Sequence, residues 1–187
     1  MGPDDGYAQE PAPSRWDRIG AVDWPISRAL ALSGDRRLPV FAAKAVSRLG
    51  DGPIYALILA ALILFRPNET GAIILSAGVS ILLLHVVYPP LKKKAARPRP
   101  VDVESDFAEA PAPLDRYSFP SGHIMTLTAA LIPIIYVAPR IWPIAVGAWI
   151  AMAWARLAIG HHYASDIAAG TLMGAGVSGL LTYWLVA

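Results

Sequence analysis

An all-α, multi-pass transmembrane helical bundle of about five spans, preceded by an N-terminal interfacial amphipathic helix, is the fold this sequence predicts. Three observations predict it. Apolar residues make up 55% of the 187-residue chain, above the roughly 45–50% of soluble proteins. The excess is gathered into five long runs instead of being spread over alternating faces. The unusual polar clusters fall at the ends of those runs and not inside them.

The elements follow in order. Residues 1–14 are rich in Pro, Gly and acids, a composition that cannot bury enough surface to fold, and are expected to be a disordered tail. They lack a basic-then-apolar start, so no cleaved signal is expected and a later segment directs insertion. In residues 15–50, Trp16, Ile19, Trp24, Ile26, Leu30, Leu32 and Val40 alternate with Arg18, Asp23, Arg28, Arg36, Arg37, Lys44 and Arg48. That is too many charges for a span, but it suits helices lying in the membrane interface. Asp23 followed by Pro25 reads as a helix start.

Residues 51–187 form the transmembrane domain. A membrane helix needs about 20 mostly apolar residues, because hydrocarbon offers backbone amides no partner. Five stretches approach this: Pro53–Phe65, which borrows its preceding turn, then Gly71–Tyr88, Ser121–Ala138, Ile141–Ala158 and Asp166–Ala187. In the last, Gly170, Gly174 and Gly179 offer small faces for close helix approach. His85, inside the second stretch, reads as a packing histidine bonded to a neighbouring helix. The loop 91–118 is long for a compact domain, and its acids read as a solvated, headgroup-level segment that could also gate a site.

Charge and cysteine content narrow the function classes. The net charge of +2 comes from 16 basic and 14 acidic residues, too balanced to argue for a nucleic-acid partner. The chain has no cysteine, which excludes disulfides and thiolate metal sites.

Alternating helices bring the end of the second span, the start of the third, the end of the fourth and the start of the fifth to one side. Lys92 and Arg99, Ser121, Gly122 and His123, Arg156, and His162 with Asp166 occupy those four ends. A single Lys or Arg there is an ordinary snorkelling cation. Two histidines and an aspartate arriving with three cations are not explained that way. Guanidinium forks match phosphate oxygens bidentately, so Lys92, Arg99 and Arg156 suit a phosphate dianion. His162 and Asp166 are four apart, which on a helix lets the carboxylate hold one ring nitrogen and leaves the other free to attack phosphorus. His123 can protonate the leaving oxygen. The Pro120-Ser121-Gly122 turn into a helix start favours an anion, with the Ser121 hydroxyl as a further donor. His161, His162, Asp166 and His123 are also conceivable metal ligands. Three neighbouring cations would repel a divalent ion, so the metal-free reading, with no cofactor, is preferred.

These residues resemble the three-part signature of the type 2 phosphatidic acid phosphatase superfamily, which joins lipid phosphatases to vanadium haloperoxidases. The first part, K-x6-RP, is met by Lys92 with Arg99-Pro100, since Arg97-Pro98 would need a lysine where Pro90 stands. The second is Pro120-Ser121-Gly122-His123. The third has Arg156, His162 and Asp166 in place, with Ala155 where a serine is usual. The resemblance covers roughly residues 45–187. It implies a helical lipid phosphatase acting through a phosphohistidine on His162 without metal. His123 would be general acid and then base, Asp166 would orient the nucleophile, and Lys92, Arg99, Ser121, Gly122 and Arg156 would hold the phosphoryl oxygens. The implied partners are a lipid phosphate or diphosphate and the surrounding membrane lipids, with undecaprenyl diphosphate as the leading substrate. Phosphatidylglycerophosphate, lipid A and phosphotransfer to a lipid acceptor are the alternatives, and a haloperoxidase or a non-catalytic lipid binder comes behind them.

The expected location is the cytoplasmic (inner) membrane. All but two of the 16 basic residues, Arg66 and Arg140, lie on the site side, which by the positive-inside rule faces the site to the cytoplasm. Resemblance to undecaprenyl diphosphate phosphatases implies the outer face instead.

Overall fold

The computed structural model describes residues 15–30, 37–66, 68–103 and 113–186. The tail expected at 1–14 and most of the acids of the 91–118 loop lie outside them. The described chain runs α1 (Arg15–Leu30), α2 (Arg37–Leu49), α3 (Pro53–Phe65), α4 (Thr70–Ala95), the short α5 (Pro100–Val103), α6 (Gly122–Val137), α7 (Trp142–Ala158) and α8 (Ala164–Leu185). A single 3₁₀ turn, Pro139–Ile141, leads into α7.

The five apolar stretches all form helices. α4, α7 with its leading 3₁₀ turn, and α8 are long and apolar enough to cross a membrane, whereas α2 and α3 meet that test only as a pair, bent by 63° at their junction. α6 has 16 residues and rises about 24 Å, short of the roughly 30 Å of hydrocarbon. It serves as the central post: Ile124, Met125, Leu127, Ala129 and Ala130 are buried on several of its faces, and α4, α7 and α8 pack around it. The outward faces of α3, α4 and α8 carry exposed apolar residues such as Leu64, Leu82 and Leu172, as a lipid-facing surface requires.

Close packing of α8 on α6 follows helical period. A Cβ added at Gly170 would lie 2.5 Å from the Ser121 carbonyl oxygen, and one at Gly174 would lie 2.5 Å from that of Met125. Ser178 continues the stripe, its hydroxyl donating to the Ala129 carbonyl at 2.8 Å. Gly179, expected to share this role, has nothing within 4 Å of an added Cβ. One residue past the stripe is a rotation of about 100°, which turns it away from the contact.

Two local expectations are corrected. Pro25 lies inside α1 and does not open it, because tertiary contacts of Asp23 hold the helix through the proline. α4 runs past Tyr88 through Pro89 and Pro90 to Ala95, so Lys92 sits in its last turn instead of following it. Ala96 then takes the left-handed conformation, φ 48°, and its amide closes the helix on the Lys92 carbonyl.

Candidate active site

Four helix ends converge on a cavity of about 350 Å³. Lys92, Arg99, Gly122, His123, Arg156 and His162 line it, so the expected cluster is brought together. Asp166 lies behind His162, fully buried. Ser121, the N-cap of α6, is not among the lining residues, and its buried hydroxyl has no hydrogen-bond partner among the described residues.

The His162–Asp166 geometry differs from the expected helical face. His162 lies in the turn before α8, whereas Asp166 lies in the first turn of that helix. Its Oδ2 accepts from the Tyr163 backbone amide at 2.8 Å. His162 Nδ1 stands 3.6 Å from the same oxygen, a charge contact longer than a hydrogen bond. On the other edge of the ring, Nε2 lies 3.3 Å from Arg156 Nη2. A guanidinium can only donate, so Nε2 is the acceptor and the proton sits on Nδ1, facing Asp166. The Nε2 lone pair therefore points toward Arg156, whose contact an incoming phosphoryl group must displace. Burial first, and then the charges of Arg156, Arg99 and Lys92, hold His162 well below its ordinary pKa, so the ring is neutral and nucleophilic.

Each cation is held by partners that its motif does not contain. Arg156 Nη1 donates to the Ser47 hydroxyl of α2 at 2.6 Å. The position where a serine is usual, Ala155, is fully buried against Val40 and Ala43 of α2. A hydroxyl thus reaches Arg156 from a neighbouring helix instead of from its own. Arg99 donates to the carbonyls of His161 at 2.6 Å and Asp115 at 3.0 Å, which fixes the plane of its fork. The Asp115 carboxylate lies between two members of the clamp: Oδ1 accepts from Lys92 Nζ at 2.5 Å and from Arg99 Nη2 at 2.6 Å, and Oδ2 from the Tyr88 hydroxyl at 2.9 Å. Burial pushes this carboxyl up. The bonds from Lys92 and Tyr88 and the charges of Lys92 and Arg99 outweigh burial and hold it below the usual range.

His123 donates from Nε2 to Asp51 Oδ1 at 2.7 Å. Asp51 sits in the bend between α2 and α3, where Gly50 allows close approach: a Cβ there would lie 2.5 Å from the His123 ring. Sequence reasoning missed Asp51, Asp115 and Ser47, whose partners are far away along the chain. His85 bonds the Ile81 carbonyl of its own helix at 2.9 Å, not a neighbouring helix as expected, and lines the cavity. His161 is buried behind the cavity.

Tyr55 joins this cavity to a second, apolar one of about 200 Å³ between α3 and α4, lined by Leu59, Ile74 and Ile81 among others. The site thus has a polar floor and an apolar flank open to the membrane side.

Known proteins share this architecture. The structure of a PAP2-type phosphatidylglycerolphosphate phosphatase from Bacillus subtilis matches with a TM-score of 0.67 at 23% identity, covering 90% of this chain and 86% of that one. Aquifex aeolicus LpxE matches with a TM-score of 0.65 at 20% identity, covering 87% of this chain and 95% of that one. An undecaprenyl-diphosphatase of Sulfolobus acidocaldarius is 26% identical over 71% of this chain; the match spans 64% of that protein's length. A decaprenylphosphoryl-5-phosphoribose phosphatase of Mycobacterium tuberculosis is 29% identical over 79% of this chain and 81% of its own length. The model of the PAP2 superfamily matches residues 73–187, and the chain, a multi-pass membrane protein, belongs to that superfamily.

Proposed function

We propose that the protein hydrolyses a phosphate or diphosphate carried by a polyprenyl lipid, with undecaprenyl diphosphate as the leading substrate, through a phosphohistidine on His162. One observation carries the reading: His162, its Nε2 lying 3.3 Å from Arg156 Nη2, lines the same cavity as Lys92, Arg99 and Arg156. Nε2 attacks phosphorus and the P–O bond to the leaving group breaks. His123, protonated on both nitrogens with Nε2–H held by Asp51, gives its Nδ1 proton to the departing oxygen, then takes one back on Nδ1 from the water that attacks the phosphohistidine. Asp166 faces the Nδ1 proton and offsets the positive charge the ring acquires. The three cations, with Gly122 at the start of α6, stabilise the phosphoryl oxygens, the dominant catalytic contribution in this chemistry. No step requires a metal.

The polyprenyl assignment is supported by the curated relatives, whose names specify undecaprenyl and decaprenyl substrates, and by the apolar flank that shares Tyr55 with the site. The second of those relatives gives a specific rival, a decaprenylphosphoryl sugar phosphate. We assign residues 15–50 to an interfacial amphipathic segment and residues 51–187 to the transmembrane catalytic domain. The location is the cytoplasmic membrane, with the site on the cation-rich face.

The test is a panel with purified protein: undecaprenyl diphosphate, decaprenylphosphoryl-5-phosphoribose, phosphatidylglycerophosphate, phosphatidic acid and lipid A. Turnover should be fastest on a polyprenyl substrate. An alkaline denaturing quench, which spares the acid-labile N–P bond, should trap a phosphoprotein that His162→Ala lacks. A phosphoprotein in that variant would overturn the mechanism, and preference for phosphatidylglycerophosphate would overturn the substrate.

A further inference from the structure

Arg97 plays no part in the signature, and by sequence it is one basic residue among several after α4. In the structure it is 1% exposed and one of the most deeply buried large side chains. Its guanidinium bridges two carboxylates: Nη1 donates to Asp166 Oδ1 at 2.6 Å, and Nη2 to Asp23 Oδ2 at 2.7 Å. Nη1 also meets the Ser165 hydroxyl at 2.7 Å. The Tyr163 ring lies 3.9 Å from the guanidinium carbon and that of Trp16 4.9 Å away. Asp23 is itself 4% exposed. It accepts from the Ser165 hydroxyl and, at 3.0 Å, from the Ser165 amide.

A buried cation shared so closely is expensive to assemble, and it is exacting in position once assembled. Asp166 has two oxygens. Oδ1 is committed to Arg97 and Oδ2 to the Tyr163 amide. The Asp166–His162 separation is therefore set by Arg97 and the turn, not by His162. The charges matter as well. Two carboxylates against one guanidinium leave a net negative charge behind His162, on the side away from the three cations of the clamp. That field favours the positive charge the ring gains when it takes the phosphoryl group.

We propose that Arg97 is a positioning residue for the nucleophile. Held between Asp23 of α1 and Asp166 of α8, it fixes the carboxylate that faces His162. The N-terminal helix is thereby a working part of the active site, although α1 lies outside the stretch that matches the family. The inference rests on the phosphohistidine reading above.

The test uses the full chain in mixed micelles, with the panel lipid that the wild type hydrolyses fastest and inorganic phosphate as the probe of the clamp. Asp23→Asn keeps shape and removes one charge. Arg97→Lys keeps charge but loses the planar fork that holds the two carboxylates in place. Misplacement of a catalytic group by about 1 Å costs on the order of a hundredfold, so kcat is expected to fall at least about tenfold in each variant. KM and the inhibition constant of inorganic phosphate should stay within about twofold, because the clamp does not touch Asp23. Retained phosphate binding also shows that a variant is folded. If kcat stays within about twofold of wild type in both, Arg97 does not position the nucleophile. If phosphate binding weakens in step with kcat in both, the pair only holds the fold, and the proposal is equally overturned. Failure of the underlying reading looks different: the wild type itself would then yield no trapped phosphoprotein.

Discussion

His123 Nε2 donates to Asp51 Oδ1 at 2.7 Å, joining the start of α6 to the bend between α2 and α3. Asp51 thus fixes the ring assigned to protonate the leaving oxygen. A poor leaving group needs that proton and a good one does not. Asp51→Asn is expected to slow turnover of an alkyl phosphate by roughly tenfold or more, and of an aryl phosphate such as p-nitrophenyl phosphate much less. Steady-state rates on the two substrates check this, and equal losses would exclude the role.

His162, held neutral by burial and by the neighbouring cations, should remain nucleophilic below its ordinary value of about 6.5. Single-turnover formation of the phosphoprotein should therefore show no loss from pH 7 to 6. The same displacement has a cost in stability. Between the depressed value and about 6.5 the unfolded chain binds a proton that the folded chain refuses. Stability consequently rises with pH through that window and falls on acidification, which thermal unfolding across the range would record.

Asp115 holds Lys92 and Arg99, and a phosphate dianion must share or displace that carboxylate. Asp115→Asn keeps the side-chain shape and removes the competing charge. Orthovanadate should then inhibit several-fold more tightly, on the order of 1 kcal/mol for a charge-assisted contact released. Weaker inhibition would instead make Asp115 a support of the clamp.

The α6–α8 seam predicts a contrast between two glycines of one helix. Gly174→Ala places a methyl 2.5 Å from the Met125 carbonyl oxygen and should cost about 1–3 kcal/mol by overpacking. Gly179→Ala meets nothing within 4 Å and should be neutral or stabilising by up to about 1 kcal/mol. Thermal unfolding in detergent reads both.

Metal removal is a further check. Full activity in excess chelator is expected, because the phosphoryl charge is met by Lys92, Arg99 and Arg156. Strict dependence on added magnesium would contradict that assignment.

The cluster lining the cavity was legible because polar side chains are scarce in this chain's apolar runs, and alternating helices leave few places for them to meet. The supports of those residues were not. Arg97 pairs with Asp23 across 74 positions and Arg156 with Ser47 across 109, distances over which no local pattern operates. Asp23 shows the cost of local reading: beside Pro25 it resembles a helix start, yet its place is set by Arg97 and Ser165. Gly179 misleads differently, since composition marks it as a packing glycine and only the helical period shows that Ser178 fills the seam. Apart from the end of α4, which runs on from Tyr88 to Ala95, the helices were readable to within a turn, because hydrocarbon enforces helix and length together.

Of α3, Leu62 alone is buried, and its flank borders the groove that meets the catalytic cavity at Tyr55. A substrate entering along that flank never passes through bulk water. The encounter is two-dimensional, and the quantity that sets its rate is the mole fraction of substrate in the leaflet. Adding inert detergent or phospholipid at constant bulk substrate should therefore slow the reaction, while enlarging the whole assay volume should not. Rates for this protein are properly compared per unit of surface.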